Sequence, residues 1–295
     1  MVPLGTAASE NTGLVQNGEG RILNINLQTD AIKHNLALMK ISAFHKAQDD
    51  KVFFRGVGAF DLTYGSWLFD FTPKAVCDIE GGPGVNVKTR LPDKFEECGL
   101  DYDLYGLDFS LGYTWSWCPR ECSFCIVPKQ DNQREHKSIW DFHDSRFKKI
   151  CLLNNNTFSD PQWKETFEEI WDADLTVIDE NGYDLRLMDD EKADALKRTK
   201  FQGYRHYAWD HMRDEKKVVN GLAIAPRGIV YVLIGYNTTR QEDFHRLQKI
   251  HDHGHDPYVM PFNRTREEKQ FKRFIDCRAY RKHKTIEVAW KDYNK

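Results

Sequence analysis

Apolar and polar positions along this chain fall into two regimes. In the first hundred residues the signal is short-ranged. Ile22, Leu23, Ile25 and Leu27 give an imperfect period-two strand over Arg21–Thr29, and Leu36, Leu38, Met39, Ile41 and Phe44 recur at helical spacing over Asn35–Gln48. Lys51–Gly56 and Trp67–Phe71 read as two further strands, so the segment predicts a small α/β unit with parallel pairing. From Cys77 to Leu107 turn residues dominate, including Gly81-Gly82-Pro83-Gly84, and a domain boundary is expected near residue 106.

Beyond that point the pattern becomes regular. Strands are expected at Phe109–Trp117, Lys149–Leu153, Leu175–Ile178, Gln202–Trp209, Ile229–Gly235 and Pro257–Pro261. Between them lie helical stretches at Lys137–Phe147, Pro161–Trp171, Asp190–Lys200, Asp214–Leu222 and Arg240–His251, with Arg264–Phe274 after the last strand. The alternation predicts an α/β protein whose residues 106–263 form a partial (β/α)6, TIM-like barrel. A truncated Rossmann-like unit over 21–105 precedes it, and residues 264–295 form a C-terminal helical extension. In such sheets the chemistry gathers at the carboxyl ends of the strands.

Composition narrows the class. With 40% apolar and 29% charged residues, the chain can build a core and is not a disordered one. A net charge of −3 argues against a general phosphate-backbone binder. No apolar run approaches the roughly 20 residues that span a bilayer. Met1–Gly20 lacks the basic and apolar regions of a signal peptide and reads as a flexible leader, so a cytoplasmic protein without membrane attachment is expected. There are seven cysteines, and three of them crowd together in Cys118-Pro119-Arg120-Glu121-Cys122-Ser123-Phe124-Cys125. An odd count with this crowding fits a metal site better than a disulfide framework.

The spacing is C-x3-C-x2-C on a loop that follows the first strand of the regular array. Three thiolates on one loop suit three irons of a [4Fe–4S] cube, and the fourth iron then stays open for a ligand. The competing reading is a structural zinc site, whose fourth ligand would be His136, His143 or Cys151.

This loop, with aromatic Phe124 immediately before the last cysteine, resembles the signature of the radical S-adenosylmethionine superfamily. The pieces His34–Ala43, Asp184–Met188, Tyr207–Asp210, Tyr231–Leu233 and Asp256–Met260 resemble a bacterial and phage group within it. Members of that group carry a shortened N-terminal unit related to cobalamin-binding domains, although this chain has no Asp-x-His-x-x-Gly segment. The resemblance implies a [4Fe–4S] cluster on Cys118, Cys122 and Cys125 that cleaves S-adenosylmethionine reductively. Hydrogen is then abstracted from a substrate that the sequence does not identify, and a flavodoxin or ferredoxin supplies the electron. Where the superfamily carries a Gly-Gly-Glu-like segment, this chain has Asn154, Asn155 and Asn156, whose carbonyls can accept from the cofactor ammonium without adding charge. With that cofactor, Asp184 and Arg186 fall on one strand face, where Arg186 can pair the cofactor carboxylate bidentately, Asp210 can accept from the ribose hydroxyls, and the segments of Asn237 and Met260 flank the adenine.

Each of these has a structural alternative: an Asn-rich turn, an internal salt bridge, or helix caps at Asp210 and Thr238 or Thr239. His251-Asp252-His253-Gly254-His255 reads as a helix end with Gly254 at its cap rather than as a metal tract. Trp115, Trp117, Tyr207 and Trp209 read as interior filling. Two other functions stay open: a non-catalytic iron–sulfur or cofactor-binding regulatory module, and a radical methyl or methylthio transferase.

Overall fold

The computed structural model describes residues 21–293, so the expected leader at 1–20 lies outside the described residues. The chain divides into two compact units, 1–101 and 102–295. Both are α/β with parallel sheets.

The first unit contains β1 (Asn24–Thr29), α1 (Leu36–Lys46), β2 (Lys51–Phe54), β3 (Leu62–Ser66), β4 (Ile79–Gly81) and the short α2 (Asp93–Glu96). Its parallel sheet has the order β2-β1-β3-β4, with Ile25, Leu27, Leu38 and Met39 fully buried. Asn35 caps α1 by accepting from the Leu38 N–H at 3.2 Å.

The strand expected at Trp67–Phe71 is absent, and β3 precedes it. The Asp30 carboxylate captures the Leu68 and Phe69 N–H groups at 2.7 and 3.0 Å, which turns the chain out of the sheet. Gly65 hid the true strand, because glycine reads as a break. A Cβ there would lie 2.7 Å from the Trp67 indole nitrogen and 2.8 Å from the Cys77 sulfur.

The second unit contains β5 (Ser110–Gly112), β6 (Lys149–Leu152), α3 (Trp163–Asp172), β7 (Thr176–Ile178), α4 (Asp190–Arg198), β8 (Lys200–Phe201) and β9 (His206–Ala208). It continues through α5 (Glu215–Ile224), β10 (Ile229–Ile234), α6 (Arg240–Asp252), β11 (Asp256–Pro261), α7 (Arg266–Asp276) and α8 (Ile286–Tyr293). One sheet runs β5-β6-β7-β8 and another β11-β10-β9, all parallel, and a parallel bridge pairs Tyr183 with Tyr207. Capping boxes at Thr239/Glu242 and Thr265/Glu268 start α6 and α7. A buried cluster including Tyr207, Val232, Leu247, Val259, Phe271 and Phe274 joins these helices to the strands.

Three further expectations change. Phe109–Trp117 contributes only three strand residues before it becomes loop. Lys137–Phe147 is a single 3-10 turn at Ile139–Asp141. The Glu169 carboxylate takes the Ser138 hydroxyl and the Ile139 N–H at 2.6 and 2.9 Å, and the Phe142 ring lies where a Cβ on Gly112 would collide. Gln202–Trp209 begins as a loop, and the unforeseen β8 ahead of it closes onto β7.

In the first unit a buried histidine supplies a test. His45 Nδ1 lies 2.7 Å from Asp50 Oδ2 and Nε2 lies 3.1 Å from the Tyr64 hydroxyl. Burial, opposed by Asp50 and helped by Lys94, holds the imidazole below its ordinary 6.5. The unfolded chain therefore binds more protons than the folded one below about pH 6.5, and His45 removes stability progressively as pH falls through that window. Thermal unfolding of wild type and His45→Gln between pH 7.5 and 5 should show a shallower loss in the variant; parallel curves would exclude this role.

Candidate functional site

The cysteine loop leaves the carboxyl end of β5, and the chain ends of β6, β7, β9 and β10 supply its neighbours. Three of the expected residues pin it. Asn154, 1% exposed, accepts from the Thr114 and Trp115 N–H groups at 2.9 and 3.0 Å and donates to the Thr114 hydroxyl at 2.8 Å. Its own carbonyl accepts from the Asn181 amide at 3.2 Å. Asn154 is thus committed to holding the stem of the loop. Asn155 donates to the Ser116 carbonyl at 2.5 Å. Asn156, 5% exposed, places its amide nitrogen 3.8 Å from Cys118 Sγ and 3.1 Å from Asp184 Oδ2. Its Oδ1 is buried and has no partner.

Asp184 and Arg186 do not share a strand face. They belong to a 3-10 turn over Leu185–Leu187 that Asp184 caps. The turn is pressed against α5, where a Cβ on Gly221 would collide with the Leu185 carbonyl. Arg186 grips Asp184 with Nε at 2.7 Å and a terminal nitrogen at 3.0 Å, and reaches Asp214 at 2.8 Å. Arg120, inside the cysteine motif, donates to the same Asp184 at 3.1 Å. Burial alone would raise the Asp184 carboxyl, but the hydrogen bonds and charge of Arg186, with Arg120, hold it below the ordinary range.

The thiols of Cys118, Cys122 and Cys125 are free and partly exposed, and the Cys125 N–H closes a turn on the Cys122 carbonyl at 2.9 Å. Burial pushes the Cys122 thiol up, opposed by Arg186 and reinforced by Asp210, Cys125 and Cys118. Ser123 hydrogen-bonds the Tyr236 hydroxyl, and the Phe124 ring lies 5.3 Å from Tyr236 and 5.5 Å from His211. Among the described residues, no three His, Cys, Asp or Glu side chains stand as a ready-made ligand set for a metal ion. The zinc alternatives are engaged elsewhere: His136 with Asp160 at 2.7 Å, His143 with Ser110 at 2.9 Å, and Cys151 inside β6.

Asp210 is not a helix cap. It accepts from the Leu233 N–H at 3.2 Å, and burial raises its carboxyl. Asn237 is exposed, at φ +50° in the turn after β10, and Met260 is 47% exposed on β11. Neither joins the Asp184 network among the described residues. Thr239 is the α6 cap, and Gly254 has φ +81° at the end of that helix. His255 and His253 bond main-chain carbonyls at 3.1 and 2.7 Å.

Sequence reasoning missed Arg120 and the buried pair Arg246–Asp243. Arg246, 0% exposed, donates to the carbonyls of Trp209, Asp210 and Leu233 at 2.8, 3.0 and 2.8 Å and to Asp243 at 2.6 Å. Helical spacing on α6 was the available signal, since i and i+3 share a face.

No protein-family model matches this chain, and no curated protein matches it.

Asp184→Ala would strand the Arg120 guanidinium and the Asn156 amide and leave Arg186 with Asp214 alone. Because Arg186 and Arg120 keep 19% and 30% side-chain exposure, the loss should fall at the low end of that for a broken buried pair, about 3 kcal/mol by urea unfolding. A loss under about 1 kcal/mol would show that the network contributes little.

Proposed function

We propose that this chain is a radical S-adenosylmethionine enzyme in which Cys118, Cys122 and Cys125 hold a [4Fe–4S] cluster. The observation that carries the reading is the position of the C-x3-C-x2-C loop, at the carboxyl end of the first strand of a parallel α/β array, where ligands bind in such folds. On this reading, β5-β6-β7 and β9-β10-β11 are one open (β/α)6 barrel joined at Tyr183 and Tyr207.

The donor set fits the cluster. Thiolates on a cube sit on separate irons, farther apart than ligands sharing one ion, so a loop with no single-ion cage is compatible with it. Asn156 Oδ1 is a buried acceptor without a donor beside Cys118, which suits an ammonium such as that of methionine. When bound, the cluster supplies the electron that breaks a C–S bond of the cofactor and so initiates hydrogen abstraction.

The chain's own residues then have distinct tasks. Asn154 and Asn155 fix the loop to β6, and Arg120 ties the motif to Asp184. Arg186 offers a guanidinium already ordered by two carboxylates, and Phe124, Tyr236 and His211 wall the opening with rings. Asp210, Asn237 and Met260 are assigned to the nucleoside end. A flavodoxin or ferredoxin would deliver the electron in a reducing cytoplasm, where the thiols stay free.

Two observations favour a second reading, a non-catalytic cluster- and cofactor-binding module: asparagines stand where an acid is expected, and Arg186 already holds Asp184 and Asp214. Methyl or methylthio transfer that relies on a second cluster gains no support, since Cys151 is buried in β6 and Cys277 ends α7.

Anaerobic reconstitution with iron and sulfide should load about four irons per chain. After dithionite and S-adenosylmethionine, 5′-deoxyadenosine and methionine should form, and Cys122→Ala should abolish both loading and product. A loaded cluster that binds the cofactor without cleaving it would establish the module instead, and stoichiometric zinc without iron would refute both.

A further inference from the structure

Strands β9, β10 and β11 present two unlike faces. Tyr207, Val230, Val232, Ile234 and Val259 are buried on the face that packs with the helices. On the other face His206, Ala208, Tyr231, Leu233 and Tyr258 are half-buried and Met260 is exposed.

This second face is an aromatic ladder. Tyr231 pairs directly with Ala208 on one side and Tyr258 on the other. The His206 and Tyr231 rings are stacked, with centroids 5.2 Å apart and planes at 7°, and Tyr231 meets Tyr258 edge-on at 5.4 Å. Ring faces attract cations, and the outermost ring already does so: Lys272 Nζ lies 3.6 Å from the Tyr258 centroid.

Burial pushes the Tyr231 hydroxyl up to about 12, and the charge of Asp179 is the next cause. Asp179 Oδ2 also takes the His206 N–H at 2.6 Å, which places a carboxylate at the His206 end of the ladder. His206 Nδ1, 3.6 Å from that carboxylate, is buried without a hydrogen-bond partner. Stacked rings call for a flat group, and the Asp179 carboxylate at the His206 end calls for a positive one there. The half-buried setting suits a small molecule rather than a protein surface.

We propose that this face binds a small molecule bearing a flat, positively charged nitrogen group (an amidinium, a guanidinium or a protonated amino-heterocycle), with Tyr231 as its central ring and Asp179 as counter-charge. That this molecule is the substrate rests on the radical-enzyme reading above; the binding itself does not.

Benzamidine, benzamide and benzoate share a shape and differ in charge, so they separate cation recognition from simple ring burial. Calorimetric titration of the full chain should give benzamidine about fivefold or more over benzamide, with benzoate weakest. Tyr231→Leu should weaken benzamidine about tenfold, while Tyr231→Phe, which keeps the ring, should stay within about threefold. Tyr204→Leu, at a tyrosine outside the ladder that is 49% exposed, should change nothing. Asp179→Asn, which keeps the shape and removes the charge, should narrow the gap between benzamidine and benzamide at least about twofold, which keeps the test decisive if Tyr231→Leu fails to fold.

Equal binding of the three probes, or an unchanged benzamidine affinity in folded Tyr231→Leu, overturns the proposal. The same preparation is assayed for 5′-deoxyadenosine. Cleavage without benzamidine binding removes the platform and leaves the enzyme reading. Benzamidine binding without cleavage does the reverse.

Discussion

The candidate site depends on one carboxylate. Asp184 receives Asn156 from the end of β6, Arg120 from the cysteine loop after β5, and Arg186 from its own turn after β7. A group at 7% side-chain exposure stays ionised only where donors repay its desolvation, and two guanidinium groups do so here. The geometry follows from that electrostatic requirement. With Asp184 charged, Arg120 must approach it, and the cysteine motif is drawn toward β6 and β7. Asn156 then has one hydrogen on Asp184 and its neighbour on the Cys118 side.

The other half of the strand-end region uses the same device with the roles exchanged. There the buried guanidinium of Arg246 gathers carbonyls from the ends of β9 and β10, and Asp243 balances its charge while also accepting from Thr238 at 2.9 Å. The Asp184 hub gathers side chains, whereas Arg246 also satisfies main-chain carbonyls at Trp209 and Asp210, just past the end of β9, where strand partners run out. The segment carrying Asp210 and His211 is thus held by a side chain from α6.

Much of the second unit was legible because its signals are local. α6 and α7 carry Thr-x-x-Glu capping boxes, and β10 alternates buried and half-buried residues along an apolar run. What was not legible depended on distant partners. Trp67–Phe71 has strand composition, yet Asp30, 38 residues away, takes the Leu68 N–H that a neighbouring strand would need. Lys137–Phe147 has helical spacing, yet Glu169 and the Phe142–Gly112 contact stop it after one turn. At the site, the cysteine spacing and its place after a strand could be read directly. The partner of Arg120 could not, because Asp184 lies 64 residues on and no periodicity joins them. Asn154 shows the middle case: its importance was visible, but its occupation by Thr114 and Trp115 required the paired ends of β5 and β6.

The partners of the cysteine loop are also far away in sequence. The loop containing Cys118, Cys122 and Cys125 closes onto Asn156 and Asp184, 38 and 64 positions from Cys118 and Arg120, across the β6 and β7 repeats. Chain entropy must be overcome before those contacts reward it, so the loop's closure is tied to the pairing of β5, β6 and β7, beyond whose ends Asn154, Asn156 and Asp184 lie. The thiols therefore differ from those of a metal finger, in which the ion organises an otherwise unfolded peptide. Here the loop is tied to the framework by Asp184 and Asn154, which hold its arginine and its stem.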